Sequence, residues 1–324
     1  MEKTKNTKRN LLIVLAVLAL VGIFLFSSCM GKLMSSAFSK DSFKGEDSKP
    51  AGKYFAILPI YDTIQGSPAT AFSSVSYDHY DLLNYIDDLI YDDDNKGIML
   101  DVDSGGGTIF HSDEMYLKLL EYKEKTGRPI YAYFESIACS GAYYISCTAD
   151  YIMANRNCTT GSIGVIISYL NVNGLYEKLG IEEIMITSGD NKGMGASSGT
   201  LTDEQREILQ AEVDEAYEQF VDIVAGGRDM NVEDVKALAD GRTYTAKQAL
   251  ENGLIDEITS FDDAVRSMSY KTGADGYYHY FDRDYTIFDY LFYQAEQIKP
   301  RSDAEVINEM INSPLRGVPL YMYQ

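Results

Sequence analysis

The chain has 324 residues, 45% of them apolar and 24% charged, which is enough for one large or two ordinary domains with a sizeable core. Its formal net charge is −21, and because residues 1–32 are basic the remainder is more acidic still. Such a surface repels phosphates and speaks against nucleic acid as a partner.

Lys3, Lys5, Lys8 and Arg9 precede NLLIVLAVLALVGIFLF, and no side chain from Leu11 to Phe26 is polar. Extended through Met30, this run spans a hydrocarbon core of about 30 Å. It predicts one N-terminal transmembrane helix, with a cytoplasmic basic end and an extracytoplasmic body. Two other readings compete. A cleaved signal peptide would need a small-x-small site that is not evident, and a lipoprotein would use Cys29 after FSS. Residues 1–30 are therefore assigned to the basic end and membrane anchor. Residues 31–52, polar and small, form a tether. Residues 53–270 form the folded domain, and 271–324 a Tyr- and Phe-rich C-terminal extension.

YFAILPI and GIMLDVD read as buried strands, separated by a helix with Leu82, Ile86, Leu89 and Ile90 at helical spacing and a turn at DDDNKG (92–97). DSGGGT (103–108) reads as a loop, followed by a helix carrying Met115, Leu119, Leu120 and Tyr122. Pro129 opens the strand IYAYFES. This alternation predicts an α/β fold with a mostly parallel sheet. IGVIISY and EEIMITSG read as two further strands. In LTDEQREILQAEVDEAYEQFVDIVAGGR, Thr202 and Gln205 form a capping box. An apolar stripe runs from Ile208 to Ile223, and Gly226-Gly227 is the expected stop.

The chemistry centres on SIACSGAYYISCTAD, where Ser140-Gly141 sits among small and apolar residues. A nucleophilic Ser needs a base, and the only His residues are His79, His111 and His279. Of these His111, four residues after the glycines, is best placed to approach a site. Lys192, in the Gly- and Ser-rich ITSGDNKGMGASSG, is the other candidate. A Lys base must be neutral, which requires a pKa well below its ordinary value of about 10.4. DSGGGT offers backbone N–H groups for an oxyanion hole, together with that of Gly141. A phosphate loop would need Lys-Ser/Thr after the glycines or a full G-x-G-x-x-G, and has neither. The four Cys lack zinc spacing, so no metal is expected; Cys139, Cys147 and Cys158 read as small buried hydrophobes.

In order and spacing, these stretches resemble the serine–lysine signal peptide peptidase A (protease IV) family, which has the Clp protease/crotonase fold. LDVDSGGGT resembles the family's strand ending in N-S-P-G-G, and ACSGAYYISCTADYIMAN its nucleophile segment. TTGSIGVI resembles T-G-S-I-G-V, SGDNKGM and LTDEQRE the lysine segment and following helix, and DGRTYTAKQALENGLIDEI a downstream D-G-R motif. The resemblance covers about residues 54–262 and makes residues 53–270 the peptidase domain.

It implies Ser140 as nucleophile, Lys192 as general base, Ser162 as the residue orienting the Lys amine, and Gly106 (or Gly107) with Gly141 as the oxyanion hole. It implies no cofactor. It further implies signal peptides and other apolar peptides as substrates and a membrane-bound, ring-like homo-oligomer, octameric in the family's short form. Asp103 and Gly105 stand where the family has Asn and Pro, Cys139 replaces a small apolar residue, and Ala142 replaces a second Gly. Two alternatives share the fold: a membrane scaffold without turnover, and an acyl-CoA enzyme, which the acidic body disfavours. Finally, the uncharged tail GVPLYMYQ (317–324) is expected to dock as an extended segment in a groove of its own or a neighbouring subunit.

Overall fold

A computed structural model describes residues 50–66, 78–280 and 319–322. The expected membrane span and nearly all of the tether lie outside these residues. Among the described residues no helix is long and apolar enough to cross a membrane.

The architecture is mixed α/β around a nine-stranded, largely parallel sheet. β1 (Tyr54–Ile64) is buried along nearly its whole length, as its unbroken apolar run demands of a central parallel strand. It pairs in parallel with β2 (Asn95–Thr108) and β8 (Gly276–His279). Pro59 is tolerated because β8 ends opposite Ile57, so among the described residues no partner on that side requires its missing N–H. The C-terminal extension thus contributes β8 to the sheet, and later β9 (Leu320–Met322), antiparallel to the end of β2.

β3 (Ile130–Cys139) lies parallel to β2 and has two successive neighbours on its other side. Its first half pairs with β4 (Tyr151–Ala154), its last three residues with β5 (Thr159–Gly161). β6 (Thr243–Thr245) closes one edge against β5, and β7 (Glu257–Ile258) pairs with β4.

α1 (His79–Ile90) buries Leu82, Ile86, Leu89 and Ile90, the predicted stripe. Thr108 caps α2 (Ile109–Thr126), accepting from the His111 N–H at 3.3 Å, and Gly127 ends it in the left-handed region at φ 65°. With the short α3 (Gly141–Ser146), these helices cover one face of the sheet. α8 (Phe261–Thr272) covers the other, where Ala264 and Met268 meet Phe55, Ile57, Met99 and Tyr133. α4 (Asn173–Leu179), α6 (Val232–Leu238) and α7 (Ala246–Glu251) are short connectors.

α5 (Asp203–Arg228) has the predicted capping box at Thr202 and Gln205. Its C-terminal half buries Phe220, Val221 and Val224, each worth about 1.5–3 kcal/mol of transfer from water.

Three expectations need correction. Gly226-Gly227 does not stop α5, which runs on to Arg228 and ends at Asp229 with φ 51°. Gly227 instead permits close packing, since a Cβ there would lie 2.4 Å from the Cys147 carbonyl oxygen. DSGGGT is not a loop but the end of β2, held between β1 and β9. IGVIISY and EEIMITSG do not form strands. The first has only the Ile166–Leu320 bridge, and the second is exposed throughout with no ladder partner among the described residues.

Candidate active site

The C-terminal ends of β2, β3 and β5 converge. Because Cys139 is in register with Gly161, the residues that follow them, Ser140 and Ser162, leave neighbouring strands side by side. Both turn sharply, at φ 54° and φ 49°, a region disfavoured for residues bearing a Cβ. Ser140 is held there by its N–H on the Gly161 carbonyl at 2.8 Å and by its own carbonyl, which accepts from Tyr144 N at 2.9 Å. Ser162 N donates to the Arg242 carbonyl at 2.9 Å. The Ser140 side chain is 1% exposed, and its Oγ has no hydrogen-bond partner. Ser162 opens onto a cleft of ≈ 480 Å³ lined by Val165, Ile166, Tyr217 and Met322 among others.

Gly106 and Gly141 meet at this point. A Cβ on Gly106, whose φ is 101°, would lie 2.7 Å from Gly141 N and 2.2 Å from the Tyr321 carbonyl oxygen. A side chain there is therefore excluded both by conformation and by space. The Gly106 N–H donates to Ser104 Oγ at 3.1 Å, and Ser104 Oγ in turn donates to the Asp62 carbonyl. Gly107 N lies 3.2 Å from where a Gly141 Cβ would stand.

Asp103 has a clear task. Its Oδ1 accepts from Ile137 N at 3.0 Å, Ser136 N at 3.2 Å and Ser136 Oγ, pinning the register shift between β2 and β3 just before the site. An acceptor is all that position requires, so Asp serves where the family has Asn.

Leu320–Met322 is docked as the tail expectation anticipated, on the chain's own sheet. It pairs with Gly106, Gly107 and Thr108 on one side. On the other, Leu320 and Ile166 exchange backbone hydrogen bonds of 2.9 and 3.1 Å. Tyr321 is fully buried, stacked on Tyr144 with ring centroids 4.9 Å apart and beside Phe220 at 4.7 Å, and its hydroxyl donates to the Ala216 carbonyl at 2.8 Å. This aromatic pocket escaped the sequence reading. Its signal in the sequence was the Tyr143-Tyr144 pair beside Ser140.

Lys192 makes no hydrogen bond to Ser140. Every residue from Glu177 to Lys192 is exposed, and the Lys192 amine makes no hydrogen bond among the described residues. His111 is directed elsewhere: its Nδ1 is 2.5 Å from Thr108 Oγ1, its Nε2 abuts Gly66, and its ring meets His79 edge-on at 4.8 Å. Burial and the neighbouring His79 lower its pKa. Burial pushes the Cys139 thiol up to about 12, which makes it a packing residue rather than a reactive one. Cys147 and Cys158 are likewise buried and free. Among the described residues no group of His, Cys, Asp and Glu could hold a metal ion.

The sequence profile of Peptidase family S49 matches residues 122–275, which include Ser140, Ser162 and Lys192. A Methanocaldococcus jannaschii protein named as a protease is 34% identical over 261 residues, covering 80% of this chain and 82% of its own length. The chain belongs to Peptidase family S49, the signal peptide peptidase A family of serine peptidases. An Enterococcus faecium relative named for signal peptide peptidase SppA is 43% identical over 197 residues, 61% of this chain and 57% of that one. The chloroplast serine protease SPPA of Arabidopsis thaliana is 33% identical over 171 residues, 52% of this chain and 25% of the plant protein. The chain thus spans only part of some S49 relatives and most of another.

Proposed function

We propose that this chain is a membrane-anchored serine endopeptidase with a Clp protease/crotonase-like core and a Ser140–Lys192 dyad. It acts outside the cytoplasm on cleaved signal peptides and other apolar peptides. Ser140 carries the reading: a strained turn presents a buried hydroxyl, unpartnered among the described residues, beside Gly141, and an extended segment pairs antiparallel with the end of β2 next to it. That segment supplies a template for substrate, held by backbone pairing with the end of β2 and with Ile166 and by an aromatic pocket around Tyr144 and Phe220.

In this mechanism Ser140 Oγ attacks the scissile carbonyl while Lys192 takes its proton, and Ser162 orients the amine. The N–H groups of Gly141 and of the Gly106–Gly107 pair receive the oxyanion. With Leu320–Met322 docked, the Gly106 N–H is engaged by Ser104 Oγ and Gly107 is paired with Tyr321, so a substrate gains the Gly107 N–H by displacing that segment. Water then hydrolyses the acyl-enzyme.

Lys192 must reach Ser140 through assembly. Its segment exposes Leu179, Ile184 at 78% and Ile186 at 95%, an apolar surface suited to burial against another copy of the chain. A ring of subunits, octameric by family resemblance, would meet both needs.

The test is turnover of a peptide with an apolar signal-like core by the full-length protein in detergent, across pH, beside Ser140→Ala and Lys192→Ala. Turnover that rises toward alkaline pH and vanishes in both variants supports the dyad. Loss in His111→Ala with survival in Lys192→Ala transfers the base role to His111. A folded, assembled protein with neither turnover nor labelling of Ser140 by a fluorophosphonate leaves a scaffold.

A further inference from the structure

Ser140 is not the only hydroxyl buried without a partner among the described residues; Ser112 Oγ is the other. Ser112 lies in the first turns of α2 and is 0% exposed. Elsewhere in this chain, three helical hydroxyls turn back to the carbonyl four residues earlier. Ser146 Oγ does so on Ala142 at 2.7 Å, Thr126 Oγ1 on Tyr122 at 2.7 Å, and Thr272 Oγ1 on Met268 at 2.8 Å. Ser112 makes no such bond to Thr108. Folded chains ordinarily avoid a buried hydroxyl in this state.

The position of the hydroxyl supplies its partner. Its Oγ is 2.4 Å from the point where a Gly141 Cβ would stand. That same point is 3.2 Å from Gly107 N and 3.1 Å from the Tyr321 carbonyl oxygen. Ser112 therefore borders the small space framed by Gly107, Gly141 and the carbonyl of a docked extended chain.

We propose that Ser112 is a catalytic residue, a third hydrogen-bond donor to the oxyanion. The proposal rests on the Ser140 reading above. As Ser140 Oγ bonds to the carbonyl carbon, its proton passes to Lys192 and the carbonyl π pair moves onto oxygen. That oxygen accepts from Gly107 N–H, Gly141 N–H and Ser112 O–H, and Ser112 keeps its proton. When the carbonyl re-forms, the C–N bond breaks and the amine leaves with the proton from Lys192. Only the charged intermediate gives the Ser112 hydroxyl a full partner, so the interaction favours the transition state over bound substrate.

The experiment compares full-length wild type with Ser112→Ala in detergent. Three readouts are taken: kcat and KM on the apolar peptide, the inhibition constant of a peptide aldehyde that forms a tetrahedral adduct at Ser140, and the thermal midpoint. The expected result is a fall in kcat of roughly 10- to 100-fold, up to the lower edge of the roughly 10²- to 10³-fold that one oxyanion donor supplies. KM should be unchanged, aldehyde affinity should fall by a similar factor, and the midpoint should be equal or higher, because no native hydrogen bond is lost. An active wild type beside an equally active Ser112→Ala overturns this inference alone. So does a fall in kcat that comes with a lowered midpoint and unchanged aldehyde affinity, which marks a structural role. A wild type without turnover overturns the Ser140 reading, and this inference with it.

Discussion

Around Ser140, the side chains of Ala138, Cys139, Ala142, Tyr143 and Tyr144 are completely buried. Around Lys192, every residue from Glu177 to Lys192 is exposed, several of them large and apolar. The two regions are held by different forces. Ser140 is fixed by strand pairing and core packing within the chain, so its strain is borne by the whole sheet. Among the described residues the lysine stretch has no strand ladder, though Gln205 Nε2 donates to the Asp190 carbonyl at 3.0 Å, and in the proposed function its geometry comes from whatever covers Ile184 and Ile186. In the function proposed above, one half of the dyad would be set by folding and the other by association.

The largest effect expected from this contrast is kinetic. Lys192→Ala should lower turnover by roughly 10²- to 10⁴-fold, the range of general-base catalysis. Its thermal midpoint should stay at the wild-type value, because an exposed side chain is lost; a differential scanning measurement checks this. Next, Ile186→Asp should leave subunit stability within about 0.5 kcal/mol, as exposed substitutions do. It should nevertheless reduce the assembled particle in light scattering and lower turnover by roughly tenfold, as loss of an apolar interface anchor would. Unchanged particle size would separate the apolar stretch from assembly.

On the sheet side, Asp101 carries a pH signature. Burial pushes its carboxyl up to about 7, against the opposing hydrogen bond from Tyr61, with Glu135 and Asp103 adding repulsion. His279 lies 3.7 Å away and is pushed down to about 4 by its own burial, so it brings no positive charge at neutral pH. On this group alone the folded protein retains a proton that the unfolded chain loses near pH 3.9, which costs stability as pH rises from about 4 to about 7, whereas the lowered pKa of His279 works in the opposite direction between about 4 and about 6.5. Asp101→Asn removes the first contribution and leaves the second, so relative to wild type it should gain about 1–3 kcal/mol more at pH 8 than at pH 5, read by urea unfolding at both pH values. The smallest effect is at the tail. Tyr321→Ala removes the stacking on Tyr144 and should raise turnover of added peptide roughly two- to fivefold by freeing the groove, on the scale of a lost aromatic pair. An unchanged rate would mean the segment does not compete.

Much of this was legible in the amino-acid order. Apolar runs marked β1, β2 and β3, and the capping box marked the start of α5. The ordered motifs placed Ser140, Gly141, Ser162 and Gly106, which the fold gathers at adjoining strand ends. The misses have physical causes. EEIMITSG has the composition of a strand, but a strand exists only with a ladder partner. Gly105–Gly107 looks like a loop because glycine is usually a breaker, whereas here it is what lets β1, β9 and Gly141 crowd one backbone. Gly227 looks like a helix stop, yet serves contact with Cys147. The isolation of the Ser112 hydroxyl is a property of three-dimensional placement, and no spacing rule announces it.

The pairing of Leu320–Met322 with both β2 and Ile166 has a further consequence for selectivity. Whatever occupies that slot must be fully extended over several residues, with its backbone groups spent on the two flanking segments. A helical peptide has to surrender its internal hydrogen bonds before it can enter. Local unwinding then becomes a term in the rate, and segments rich in glycine or β-branched residues should be consumed ahead of equally apolar ones that hold a helix well.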